Sequence, residues 1–170
     1  MTTAQWAATL VALGACIGDL RVRRIPNVLT LGAAVAALAF HTIVAGLAGL
    51  GLSAAGWVVG LLLFLPLFAL RGTGGGDVKL LAAFGAWVGP GLVVWVALWS
   101  AVAGGILALA LSAQRGYTKQ AFSNVWGLLS FWRVMGLQPH PGMTLESSAG
   151  PRLPYAVPMA AGLGIALWLR

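Results

Sequence analysis

The stretch RGTGGGDVK at residues 71–79 decides the fold, because it interrupts an apolar chain with glycines and a carboxylate. Apolar segments lie on both sides of it, and Asp77 is one of only three acidic residues in the chain. Glycine gives the backbone freedom for sharp turns and for the close approach of another segment. A carboxylate at membrane depth is costly unless it is paired or lines a wet cavity. The stretch therefore indicates a functional break between packed helices.

The composition places the chain in a lipid bilayer. Hydrophobic residues make up 60% and charged residues 8% of the 170 residues, and the mean hydropathy is +0.94. Soluble domains carry about a quarter charged residues, so this chain cannot cover a globular surface with polar groups. We expect one integral-membrane domain over residues 1–170. Cys16 is the only cysteine, which excludes a disulfide framework or a cysteine metal site within one chain.

The apolar pattern predicts an all-α fold, a bundle of six transmembrane helices. The fourth apolar segment is shorter than the roughly 20 residues that a crossing needs. Either the glycine segment dips into the membrane, or this helix starts partway down. An uncharged turn is expected at residues 49–51. The six spans are about residues 2–18, 28–47, 54–70, 78–88, 92–111 and 153–169.

Glycine spacing and amphipathic spacing add two local predictions. Gly56/Gly60 and Gly85/Gly89 have the G-x-x-x-G spacing that lets membrane helices approach closely. Residues 117–136 place tryptophans and other apolar side chains on one helical face, which predicts an amphipathic helix lying in the membrane interface. Whether that helix contacts lipid, substrate or another copy is left open. A polar loop is expected at residues 137–152.

The basic residues indicate the orientation. In the six-span arrangement nine of the ten fall on one side and only Arg170 on the other. The positive-inside rule then puts both termini outside and the nine basic residues in the cytoplasm. Asp19, at the end of the first span, and Asp77, at the start of the fourth, both open to the cytoplasm. The charge of +7 is thus a topology signal, and no nucleic acid partner is expected.

Two carboxylates on one membrane face offer a specific chemistry. Two carboxylates that lie close together repel each other when both are ionised. Asp19 and Asp77 would therefore share one proton and titrate as a unit. The ionised member can take a proton from water while the neutral member polarises a peptide carbonyl. That is aspartyl proteolysis, and it needs no metal and no cofactor. Arg21, Arg71 and Lys79 would bias the ionised forms.

Three short motifs lie around the two aspartates and at the start of the last span. They are GGGDVKLL at residues 74–81, the run from Asp19 through Arg21 to Pro26 and Asn27, and PRLPYAVP at residues 151–158. The three resemble, in order along the chain, motifs of the type IV prepilin peptidases, membrane aspartyl proteases that include the preflagellin peptidases. The first resembles the G-x-G-D-x-K-L motif of that family, the second its first aspartate motif and the third the start of its last helix. In chain order, the second motif comes first, as it does in the family.

The resemblance implies an aspartic endopeptidase that removes the short basic leader of a prepilin-like or preflagellin-like protein, after a glycine. It implies the cytoplasmic face of a bacterial or archaeal inner membrane, with membrane lipid as the other partner. The larger members carry an N-terminal extension with paired cysteines, so this chain resembles the short, peptidase-only branch of Flp/Tad type. Oligomeric state is left open. The implied catalytic pair is Asp19 and Asp77, and the implied supporting residues are Gly74, Gly76, Lys79, Arg21, Pro26 and Asn27.

Other interpretations remain open from the sequence. Asp19 alone fits an interfacial carboxylate neutralised by neighbouring arginines, and Asp77 alone fits a helix N-terminal cap. A small transporter or channel would use Asp77 as an ion or proton site. A catalytically dead assembly factor is a third hypothesis, against which the two intact aspartates argue. His41 is expected to be a hydrogen-bonded structural residue and Glu146 a solvated one.

Overall fold

The structure is a computed structural model that describes residues 1–138 and 154–169. Within these two ranges all regular secondary structure is helical, which confirms the all-α prediction. His140, Glu146 and most of the loop expected at residues 137–152 lie outside the described residues. The helices are α1 (Thr3–Val22), α2 (Asn27–Ala69), α3 (Gly75–Val88), α4 (Pro90–Gln114), α5 (Thr118–Met135) and α6 (Ala156–Trp168).

Two of these helices, α2 and α4, are long and apolar enough to cross a membrane. α6 is apolar but has only 13 residues. The helix lengths therefore support insertion into a bilayer. The number of crossings stays a prediction.

α2 is bent sharply near its middle. Ala45 and Gly46 leave helical geometry, and Gly46 has a φ of 58°, which favours glycine. A Cβ added at Gly49 would clash with the His41 carbonyl oxygen, so the chain folds back on itself there. We call residues 27–44 the first arm and residues 47–69 the second arm. The turn predicted at residues 49–51 is wrong by several positions, because Gly49 serves close packing and Gly51 is helical.

α3 lies between the two arms. On the first arm, Ala34 forms a buried cluster with Ala83. On the second arm, Gly56 meets Gly85 so closely that a Cβ on either would clash with the carbonyl oxygen of the other. Gly60 lies against the Leu81 carbonyl in the same way. The close packing predicted from the glycine spacing is thus confirmed for Gly56, Gly60 and Gly85, whereas Gly89 ends α3 with a φ of 83°. This packing buries α3 along nearly its whole length.

Side chains from both arms form hydrogen bonds with backbone carbonyl groups at the C-terminal end of α3. The Ala86 carbonyl faces position 90, where proline has no N–H to donate. The Ser53 hydroxyl donates to that carbonyl at 2.8 Å instead. His41 Nε2 lies 3.2 Å from the Trp87 carbonyl, which confirms the predicted structural role of His41. These bonds fix α3 along its axis, and so they also fix the position of Asp77 at its other end.

Several predicted boundaries are wrong, and three of them bear on the site. α1 continues through Asp19 to Val22, where Arg23 in a left-handed conformation ends it by donating its N–H to the Asp19 carbonyl. Asp19 is therefore helical, one turn before the end of α1. α3 begins at Gly75, because capping by Asp77 keeps two of the glycines in its first turn. α6 begins at Ala156, three residues later than predicted.

α5 forms a helix of its own with no buried residue. Its apolar side chains Phe122 and Trp126 are exposed. The helix predicted at residues 117–136 is confirmed as Thr118–Met135. Its placement in the membrane interface stays a prediction, since an exposed apolar face is also what a protein partner would cover.

Candidate active site

Asp19 lies on the last turn of α1, and its side chain is only 8% exposed. Its Oδ2 accepts the backbone N–H of Ala156 at 3.0 Å. Ala156 is the first residue of α6, so the carboxylate sits at a helix N-terminus, where the partial positive charge of the peptide dipoles stabilises an anion. This bond offsets the cost of burying Asp19 and anchors α6 against α1.

Asp77 is the third residue of α3 and is half-buried. Its Oδ2 accepts the Gly74 N–H at 3.2 Å, in the manner of the reciprocal half of a capping box. Gly74 has no side chain to return a bond to the Asp77 N–H, which bonds the Gly74 carbonyl instead. The helix-cap interpretation of Asp77 is therefore correct in geometry. Capping is also compatible with a catalytic role for Asp77, because the bond to Gly74 holds the carboxylate in a fixed orientation.

The two carboxylates lie at the same end of the bundle and interact electrostatically. A packing contact between their flanking segments holds them there. A Cβ added at Gly76, just before Asp77, would lie 3.3 Å from Ile25, in the link between α1 and α2. Each carboxylate thus has a backbone N–H donor at a helix N-terminus and the other carboxylate within electrostatic reach. Such a pair can share a proton.

The predicted supporting residues take several positions. Pro26 caps α2 and packs on Gly18, where an added Cβ would lie 3.4 Å away. Lys79 Nζ donates to Asn27 Oδ1 at 2.9 Å, which links the two motifs. This bond is exposed, and the proposed influence of Lys79 on Asp77 stays a prediction. Arg21 is exposed beside the site.

The contribution of the start of α6 to the site was not predicted from the sequence. Cys16 Sγ donates to the Ala156 carbonyl at 3.3 Å, so Asp19 and Cys16 bind the N–H and the carbonyl of the same residue. Tyr155, the preceding residue, packs its ring 6.2 Å from that of Phe64 and interacts electrostatically with Asp77. The aromatic residue within the match at residues 151–158 was the available signal.

A pair of interacting carboxylates, one buried and one half-buried, in an apolar helical bundle has the groups that an acid–base enzyme needs. A family model described as the type IV leader peptidase family matches residues 6–109, a range that contains both Asp19 and Asp77. The chain belongs to this family, which confirms the resemblance seen in the motifs. It is a leader-peptidase-type protease of a membrane-associated family that processes prepilin-like substrates. Neither a curated protein nor a solved structure matched the chain.

Proposed function

We propose that this protein is an aspartic endopeptidase that removes the basic leader from prepilin-like or preflagellin-like proteins at the cytoplasmic face of the inner membrane. The observation that carries the proposal is the electrostatic pairing of Asp19 and Asp77 at two helix N-termini in a leader peptidase family member. Residues 1–170 form one peptidase domain.

The proposed reaction uses one proton shared between the carboxylates. The ionised carboxylate takes a proton from water as the water oxygen attacks the scissile carbonyl carbon. The neutral carboxyl gives its proton to the carbonyl oxygen, which forms a neutral tetrahedral intermediate. When the C–N bond breaks, the newly protonated carboxyl gives its proton to the leaving nitrogen. The other carboxylate takes a proton from a hydroxyl of the intermediate, which restores the starting state.

The backbone donors prepare the pair for this exchange. Asp19 and Asp77 each keep one oxygen on a fixed N–H, so neither carboxylate has to reorient when a proton arrives. Preorganised donors of this kind cost no reorganisation during the reaction. Membership of the leader peptidase family favours peptide hydrolysis over the alternative hypothesis of ion or proton transport through Asp77.

The topology of the proposal follows from charge. Arg21, Arg23 and Arg24 lie exposed around the link between α1 and α2, close to Asp19. Under the positive-inside rule this end of the bundle faces the cytoplasm. An impermeant thiol reagent tests it on an Arg23→Cys variant in a Cys16→Ser background. Labelling only after the membrane is opened supports the proposal, and labelling of intact cells from outside contradicts it.

The reaction is tested by incubating the purified protein with candidate prepilins and sequencing the new N-terminus of the product. We expect a single cut after a glycine at the end of the basic leader. The matched control is Asp77→Asn, purified and assayed in parallel. Cleavage elsewhere in the substrate, or equal cleavage by this control, contradicts the proposal.

A further inference from the structure

Tyr155 is related to both carboxylates, to Asp19 through its chain neighbour and to Asp77 electrostatically. Its neighbour Ala156 supplies the N–H that binds Asp19 at 3.0 Å. Its own phenol interacts electrostatically with Asp77. One dipeptide at the start of α6 therefore binds Asp19 and lies within electrostatic reach of Asp77. Neither interaction is visible in the sequence, because the partners lie 137 and 78 positions away along the chain.

The phenol is held in place from two sides. Its ring packs against Phe64 of the second arm, with ring centroids 6.2 Å apart. On α4, a Cβ added at Gly104 would lie 2.9 Å from Tyr155 Cε2 and 3.1 Å from the hydroxyl oxygen. The Tyr155 ring therefore fits only because residue 104 is a glycine, which has no side chain. The next residue, Gly105, has nothing within 4 Å of an added Cβ.

We infer that the Tyr155 hydroxyl is a third polar group of the active site, which donates a hydrogen bond to the water or peptide oxygen that the carboxylate pair addresses. The inference rests on the proposed function. A tyrosine whose ring served only to fill space would need no hydroxyl, and phenylalanine would replace it without loss. A hydroxyl held against Gly104, on a ring packed against Phe64 and within electrostatic reach of Asp77, can orient a small polar group there. Tyr155 is in this sense a positioning residue.

The test measures kcat and KM for leader cleavage by Tyr155→Phe. We expect kcat to fall about tenfold, the effect of losing one hydrogen bond in the transition state, while KM changes less than twofold. The matched control is Tyr117→Phe, since Tyr117 is the other tyrosine in the chain and is exposed. Tyr117→Phe should have the same kcat as the parent protein.

A second pair of variants moves the hydroxyl without removing it. Gly104→Ala should lower kcat, because the new methyl group displaces the phenol, and Gly105→Ala should not. An unaltered kcat in Tyr155→Phe overturns the inference. If Asp77→Asn is inactive in the same assay, the proposed function survives that result. If Asp77→Asn remains active, the proposed function itself fails.

Discussion

Replacement of Gly56 by alanine tests the contact that fixes α3 and hence the position of Asp77 in the bundle. An added Cβ would overlap the Gly85 carbonyl oxygen and lie 2.7 Å from its carbon and 3.0 Å from the Gly89 carbonyl carbon. These neighbours are backbone atoms, so the second arm and α3 must separate. Overpacking of a well-packed core costs about 1–3 kcal/mol, and a rigid backbone neighbour places this case near 3 kcal/mol.

Gly51 provides the matched control on the same arm. It is helical, and an added Cβ meets nothing within 4 Å. Gly51→Ala should stabilise the protein by up to about 1 kcal/mol, because alanine has the higher helix propensity. The opposite signs at two glycines five positions apart come from packing alone, since the helix propensity gain is common to both.

The assay is thermal unfolding of the purified protein in one detergent, with leader cleavage measured on the same samples. For a chain of this size 1 kcal/mol corresponds to about 2–4 °C in Tm. Gly56→Ala should therefore lower Tm by about 6–12 °C and reduce cleavage, and Gly51→Ala should raise Tm slightly with cleavage unaltered. A Gly56→Ala protein as stable as the parent would refute the direct contact between the second arm and α3.

Two further substitutions separate a buried polar contact from an exposed one. Ser53→Ala should lower the free energy of unfolding by about 1–3 kcal/mol, because the buried Ala86 carbonyl loses its donor; an unchanged midpoint in the same detergent melt would contradict this. Lys79→Met should change it by less than about 0.5 kcal/mol, since its bond to Asn27 is exposed. A Lys79→Met loss as large as that of Ser53→Ala would show that the link between the two motifs carries the fold.

The local features of the fold could be predicted from the sequence, and the long-range ones could not. The glycine break before Asp77 was visible, because it depends on neighbouring residues. The role of each glycine was not: Gly46, Gly49 and Gly51 look alike in the sequence, yet one makes a turn, one allows close packing and one does neither. Only the partner across the turn, the His41 carbonyl, distinguishes Gly49 from Gly51.

The candidate site shows the same division. Two aspartates in family motifs predicted the pair, and the structure places them at one end of the bundle. The donor to Asp19 is a backbone N–H, which any residue other than proline supplies, so no side-chain pattern could indicate Ala156. The extension of α1 past Asp19 was missed for a related reason. Its end is set by the left-handed conformation of Arg23, a residue type that does not itself indicate such a turn.

The most direct test of the shared proton is the cleavage rate of Asp19→Asn, Asp77→Asn and the double variant. An asparagine oxygen can still accept the Ala156 or Gly74 N–H, so the fold should persist, and Glu146→Gln controls for removing an acidic residue. Because the two carboxylates act as one unit, we predict that each single variant loses leader cleavage and that the double variant loses no more. Cleavage near the parental rate by either single variant would contradict the two-carboxylate account.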